Sequence, residues 1–321
     1  MIKHSAAAGL ALALVAGSAF AADLPSVKAP ILPPPPPPFT WTGLYGGINI
    51  GYGFGNGDQD PGFATTAFPN VFGFPAWTIS NDMNGVLGGG QVGYNHQFNP
   101  WLVVGLEADI QATDVHSQGN GVGGAAGTAG FAVLAPTTPN FVFATQNKSL
   151  DWFGTVRARV GVTLPSFPGL MVYGTGGLAY GNVIHSANAS DIFPNLNQSP
   201  AVLTPFAPGA LLGAGTNYDS TKVGWTAGGG VEWFPLLSSP LFKAFSIKLE
   251  YLYTDLGSTT VYGGIAGATG GFFTASAAAV LPLSSAGFGY QQTSATRFHT
   301  VRLGINWHFN PFVAAPVLAK Y

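Results

Sequence analysis

The sequence contains no cysteine, which excludes a disulfide framework and a zinc–thiolate centre while remaining compatible with an oxidising compartment. It is also poor in charge. Only 7% of the 321 residues are Asp, Glu, Lys or Arg, whereas a soluble domain carries roughly a quarter, so most of this surface is not built for water. The formal net charge of -2 gives no electrostatic reason to expect nucleic acid as a partner. Beyond the first residues there is no apolar run of the ~20 residues that a spanning helix requires.

The chain opens "MIKHSAAAGLALALVAGSAFAADLP", with a cationic start at Lys3, an apolar run from Ala6 to Ala16, and small residues at Ala19 and Ala21. This pattern predicts a signal peptide over residues 1–21, cleaved after Ala21, and therefore export. The run is too short to anchor the chain as a membrane helix. Residues 22–40 include six consecutive prolines, Pro33 to Pro38, which cannot join a β-ladder and predict an extended periplasmic spacer.

From Trp41 to Phe309 the dominant signal is two-residue alternation in eight segments, near 41–54, 85–98, 101–114, 149–164, 170–184, 221–235, 243–256 and 296–309. Short links join alternate pairs: Asn99-Pro100, Ser166 to Gly169, and Leu236 to Leu241. The other gaps, near 55–84, 115–148, 185–220 and 257–295, each run to about thirty residues or more. Four such loops would be unusual in a compact soluble domain. They fit an all-β, eight-stranded antiparallel transmembrane β-barrel with short periplasmic turns and four long extracellular loops.

Alternation also assigns the faces. In the third segment Leu102, Val104, Leu106, Ala108 and Ile110 oppose Val103, Gly105, Glu107, Asp109 and Gln111. The fourth sets Trp152, Val156, Ala158, Val160, Val162 and Leu164 against Asp151, Thr155, Arg157, Arg159 and Thr163. The seventh and eighth repeat the scheme. An arginine facing lipid at mid-membrane would cost about 2–4 kcal/mol, so the polar set is expected to face the lumen. Nine charges then project inward: Glu107, Asp109, Asp151, Arg157, Arg159, Glu232, Lys248, Glu250 and Arg302. Trp41, Tyr52, Phe54, Phe98, Trp101, Trp233 and Phe309 suit interfacial girdles.

"WTGLYGGINIGYGFG" (Trp41 to Gly55) and "RFHTVRLGINWHF" (Arg297 to Phe309) resemble the first and last strands of a known family, as "VLGGGQVGYNHQF" and "LMVYGTGGLAYGNV" resemble its second and fifth. These are the small outer-membrane β-barrel surface proteins of alphaproteobacteria, the porin-family proteins similar in architecture to the OmpA barrel. The resemblance covers residues 41–309 and implies the cell outer membrane, with roles in envelope integrity and surface antigenicity. It also implies partners: outer-membrane lipid and lipopolysaccharide, the barrel-assembly machinery during insertion, and a host or surface ligand at the loops. The chain departs from the pattern in carrying a C-terminal extension, residues 310–321, beyond the last-strand aromatic.

Eight strands enclose a space that side chains can fill, unlike the channel of a sixteen-stranded porin. With five acids against four bases, the expected interior is a salt-bridged, largely closed lumen rather than the charge ring of a small-pore porin. That favours a structural surface protein; the alternative passes ions or small solutes. No enzyme, cofactor or metal site is expected. His96, His116, His185, His299 and His308 are scattered without ligand spacing, and no nucleophile motif accompanies Asp114, His116 and Ser186. The glycine-rich "GTGGLAYG" lies within a strand with no following helix, so it is not a phosphate loop. "FATTAFPNVFGFPAW" (Phe63 to Trp77) is expected to fold over the barrel mouth or touch lipid.

Overall fold

The computed structural model describes residues 39–55, 57–68, 71–73, 75–126, 128–129, 139–192, 211–235, 242–266, 271–272, 281–282 and 287–309. The expected signal peptide, all of the spacer but Phe39 and Thr40, the link from Leu236 to Leu241, and the extension 310–321 lie outside the described residues. Among the described residues no helix is long and apolar enough to cross a membrane.

Eight long strands form a closed antiparallel ring: β1 (Gly43–Gly55), β2 (Asn84–Asn99), β3 (Leu102–Ala126), β4 (Pro139–Leu164), β5 (Phe167–Ile192), β6 (Leu211–Trp233), β7 (Phe245–Ala266) and β8 (Gly287–His308). Each pairs with the next, and β1 closes on β8 with Tyr45 opposite His308 and Gly55 opposite Phe298. Closure leaves no unpaired edge in the ring, which is the condition for strands to cross a membrane.

The outward face of this ring is apolar. Ile48, Ile50, Leu106, Ile110, Val156, Val160, Leu178, Leu249, Leu303 and Ile305 are all exposed. At the turn end Phe98, Trp101, Phe167, Trp233, Trp307 and Phe309 stand outward, and at the other end Tyr52, Phe54 and Trp225 do so. These two aromatic levels bound the membrane-spanning segments. Trp41, by contrast, is 1% exposed and is not a girdle residue. It precedes β1 and turns under the ring, where its indole Nε1 donates to the carbonyl of Pro168 at 2.9 Å.

Several strands run well past the expected segments. β3, β4, β5, β6, β7 and β8 continue beyond the upper girdle, so much of the three gaps 115–148, 185–220 and 257–295 is barrel wall rather than loop. Outside lipid many outward positions become polar, with Gln118, Asn120, Thr145, Asn147 and Asn188 among them, and although Val122, Phe143 and Tyr262 stay apolar and exposed, the continuous hydrophobic alternation that marks a lipid-facing strand is broken. The first gap also builds wall. Strand Asp58–Phe68 pairs with β8, and strand Ala76–Asn81 pairs back onto it. Within the Phe63 to Trp77 stretch, Trp77 is buried and its Nε1 donates to Gln292 Oε1 at 2.7 Å, while Phe63 faces outward. The described part of this segment is thus wall, not the lid or lipid contact expected of it.

One predicted lumen residue is misplaced. Asp151 is exposed. Against β5 the register shifts between Leu150 and Phe153, and against β3 it shifts where Trp152 pairs Ala112 but Leu150 pairs Val115, so two consecutive residues of β4, Asp151 and Trp152, lie on the outside. A bulge of this kind reverses the phase of everything beyond it.

Candidate functional site

The lumen is organised in tiers. At the turn end Phe39, Trp41 and Phe234 pack edge to face, with centroids 4.9–5.7 Å apart, and His308 lies 4.7 Å from Phe234. Val103, Met171 and Tyr173 complete this floor.

Directly above it the eight remaining predicted charges come together, all nearly inaccessible: Glu107, Asp109, Glu232 and Glu250 with Arg157, Arg159, Lys248 and Arg302. Arg157 is the hub. Its Nη2 lies 2.5 Å from Glu107 Oε1 and 2.9 Å from Asp109 Oδ2, and its Nη1 lies 3.0 Å from Glu250 Oε1. Arg159 Nη2 pairs with Glu232 Oε2 at 2.6 Å, and its guanidinium lies over the rings of Tyr173 and Tyr45 at 4.6 and 5.1 Å. Arg302 bonds Glu250 and approaches Asp109 at 3.3 Å. Lys248 Nζ reaches Glu107 at 2.8 Å. The planar guanidinium fork suits each arginine to engage more than one carboxylate while staying charged.

Neutral donors fill the remaining lone pairs. Tyr45 donates to Glu107 at 2.7 Å and Tyr173 to Glu250 at 2.9 Å. Glu232 Oε1 accepts from Ser246 and from Asn306, with His308 Nε2 at 3.0 Å. Close packing of these side chains depends on missing ones. A Cβ at Gly93 would lie 2.3 Å from the Tyr45 hydroxyl, and one at Gly230 would lie 2.7 Å from that of Tyr173, so glycine at these two positions makes room for the tyrosines.

Above the charges is an apolar tier, Met83, Leu87, Val115, Leu150, Phe153, Ala179, Val183, Leu256 and Phe298. Next, outside the membrane-spanning segments, comes a polar tier. Asp60 accepts from Gln146 at 2.7 Å and Ser294 at 2.6 Å, and Lys148 donates to Ser294 at 2.8 Å. Burial lowers the Lys148 ammonium to about 8 despite the nearby Asp60. His185, opposite Lys148 in the ladder, is inaccessible. Burial first, and the Lys148 charge second, hold its imidazole down to about 4. A second apolar tier including Trp77, Ile79, Val142, Val261 and Tyr290 lies at the far end.

The sequence brought eight of the nine predicted charges to one place and missed their partners. Tyr45 and Tyr173 share the lumen phase of Asn49 and of Met171, and each stands across from a glycine; that combination was the available signal. Lys148, Asp60 and the lumen position of His185 carried none, because they lie where lipid no longer sets the outward face. Among the described residues no group of three or more His, Asp or Glu side chains could hold a metal ion.

The model of the outer membrane protein beta-barrel domain matches residues 8–309. The chain belongs to this family. Similar to this outer-membrane barrel are the 31 kDa outer-membrane immunogenic proteins of Brucella melitensis biotype 1 and Brucella suis biovar 1, each 33% identical over 300 residues, or 92% of this chain and 96% of the relative. The barrel is accordingly a protein of the cell outer membrane, of alphaproteobacterial type. Among solved structures, OprG from Pseudomonas aeruginosa matches 84% of this chain and 98% of its own at 11% identity and a TM-score of 0.33. Ail of Yersinia pestis matches 81% of this chain and 99% of its own at 13% identity, with a TM-score of 0.26.

Proposed function

We propose that this outer-membrane barrel is a structural, surface-exposed protein with a closed, salt-bridged lumen, contributing to envelope integrity and to cell-surface interaction without catalysing a reaction. The observation that carries this reading is the charged tier. Four acids and four bases meet across the interior, and they lie between an aromatic floor and an apolar layer. A small-pore porin needs a continuous hydrated path through the same space, and side chains pointing inward from all eight strands occupy it.

The reading is also supported by economy of charge. The tier is close to neutral, so it has no excess field with which to select or steer an ion. Its partners are then those of a wall protein: membrane lipid and lipopolysaccharide outside the barrel, the assembly machinery during insertion, and a host or surface ligand at the far end. A liposome-swelling assay with a pentose tests it. Vesicles carrying the refolded full chain are expected to swell no faster than empty ones. Swelling that rises with protein density would establish the porin reading instead.

A further inference from the structure

Just beyond the upper aromatic level, the outer wall of β3, β4 and β5 carries a depression of about 160 Å³. Strand register builds it as two rows. His116, Ser149 and Ile184 are successive ladder partners, and Gln118, Asn147 and Ser186 form the next row. All six line the depression. A third row farther out, Asn120, Thr145 and Asn188, continues the same chemistry. Below it lie Trp152 and Tyr180, rings edge to face at 6.1 Å, where the lipid-facing surface ends.

We propose that this depression binds the sugar portion of the outer-leaflet glycolipid. Amides and hydroxyls both donate and accept, as sugar hydroxyls do, and here they are arrayed on a rigid sheet rather than on loops. A phosphate would need cations. Lys148 also lines the depression, but its ammonium donates inward to Ser294 and to the carbonyl of Ala295, while Asp114 and Asp151 stand exposed on the outer wall at the lower edge. A protein partner would need an apolar or aromatic anchor, and Ile184 is the only apolar side chain among the six. The depth decides the source. Successive strand residues advance ~3.3 Å, so the rows from Ser149 to Thr145 start just past the hydrocarbon and run outward for roughly 10 Å of height at the usual strand tilt, beyond the acyl-bearing sugars to the core sugars of the glycolipid.

The inference rests on the membrane placement of the barrel and not on whether its lumen conducts. The test uses the refolded full chain in detergent micelles, titrated with three probes: core-bearing lipopolysaccharide, lipid A lacking core sugars, and soluble core oligosaccharide. Core-bearing lipopolysaccharide is expected to bind at least about tenfold more tightly than lipid A. Ser149→Trp, which fills the depression, is expected to abolish that difference while the heat-modifiable folded band persists. Asn147→Ala/Ser186→Ala, which removes hydrogen bonds without adding bulk, gives a second arm should the tryptophan impair folding, and is expected to narrow the difference. Equal affinity for lipid A and core-bearing lipopolysaccharide would overturn the proposal, as would a difference that survives both variants. Soluble oligosaccharide that competes as well as whole lipopolysaccharide would overturn it in favour of a free glycan.

Discussion

Lys248 on β7 holds its Nζ 2.8 Å from Glu107 Oε1 on β3, four strands away around a ring of eight. Two strands at opposite ends of a diameter are thereby joined through the lumen. The same Glu107 also meets Arg157, Arg159 and Tyr45, so the loads on the individual cations differ. Arg157→Met strips a partner from Glu107, Asp109 and Glu250 at once and is expected to cost about 3–5 kcal/mol, because it leaves buried carboxylates undercompensated. Lys248→Met is expected to cost clearly less. Urea midpoints of the fast-migrating folded band should fall in that order, and an unchanged midpoint for Arg157→Met would contradict the network.

Trp41 packs beneath the ring at the turn end, and its removal separates stability from permeation. Trp41→Ala deletes a buried indole packed on Phe39 and Phe234 together with its bond to Pro168, and is expected to cost about 3–5 kcal/mol. Permeation should not change, since the charged tier above remains intact. Swelling assays on this variant should match those on the parent chain.

The two faces of β2 should respond oppositely to added bulk. Gly93→Val would drive side-chain atoms into the Tyr45 ring and the Leu106 carbonyl, and should prevent the folded band from forming. At Gly88, on the lipid side, an added Cβ has as its nearest neighbour the Asn49 carbonyl at 3.5 Å, an ordinary contact. Gly88→Ala should fold with an unchanged midpoint.

His185 is expected to make the polar tier beyond the membrane-spanning segments sensitive to acid. Its folded-state value of about 4 lies below the ordinary 6.5, so the unfolded form takes up the proton first. Stability contributed by the neutral ring is present above about pH 6.5 and is lost as pH falls toward 4, on the order of 3 kcal/mol over the whole range. Lys148, its ladder partner, stays cationic throughout that range and adds to the effect. Protection factors, that is exchange rates corrected for the intrinsic pH dependence of amide exchange, should fall along the upper halves of β4 and β5 between pH 6.5 and 4, and His185→Gln should flatten the profile.

What could be read from the sequence follows the lipid. Between the aromatic levels one face of every strand is apolar, so Leu102 to Ile110 and Val301 to Phe309 declare both strand and orientation, and the lumen charges of β3, β4, β6, β7 and β8 follow from phase alone. Above the upper level the outward face is no longer uniformly apolar, and residues such as Gln118, Asn147 and Asn188 look like loop although they lie on strands. Asp151 failed for a different reason: a bulge adds one residue to the count, and nothing in "SLDWFG" marks it. Trp41 failed because an aromatic next to a strand end reads the same whether it points to lipid or curls beneath the ring.

The central claim is that the charged tier seals the barrel, and single-channel recording of the refolded full chain in planar bilayers tests it most directly. The sealed lumen predicts no steady conductance above the bare bilayer, for the parent chain and for Trp41→Ala alike. Steady ohmic channels whose conductance or ion preference shifts on Arg157→Met would contradict it, and would make the same residues the lining of a pore.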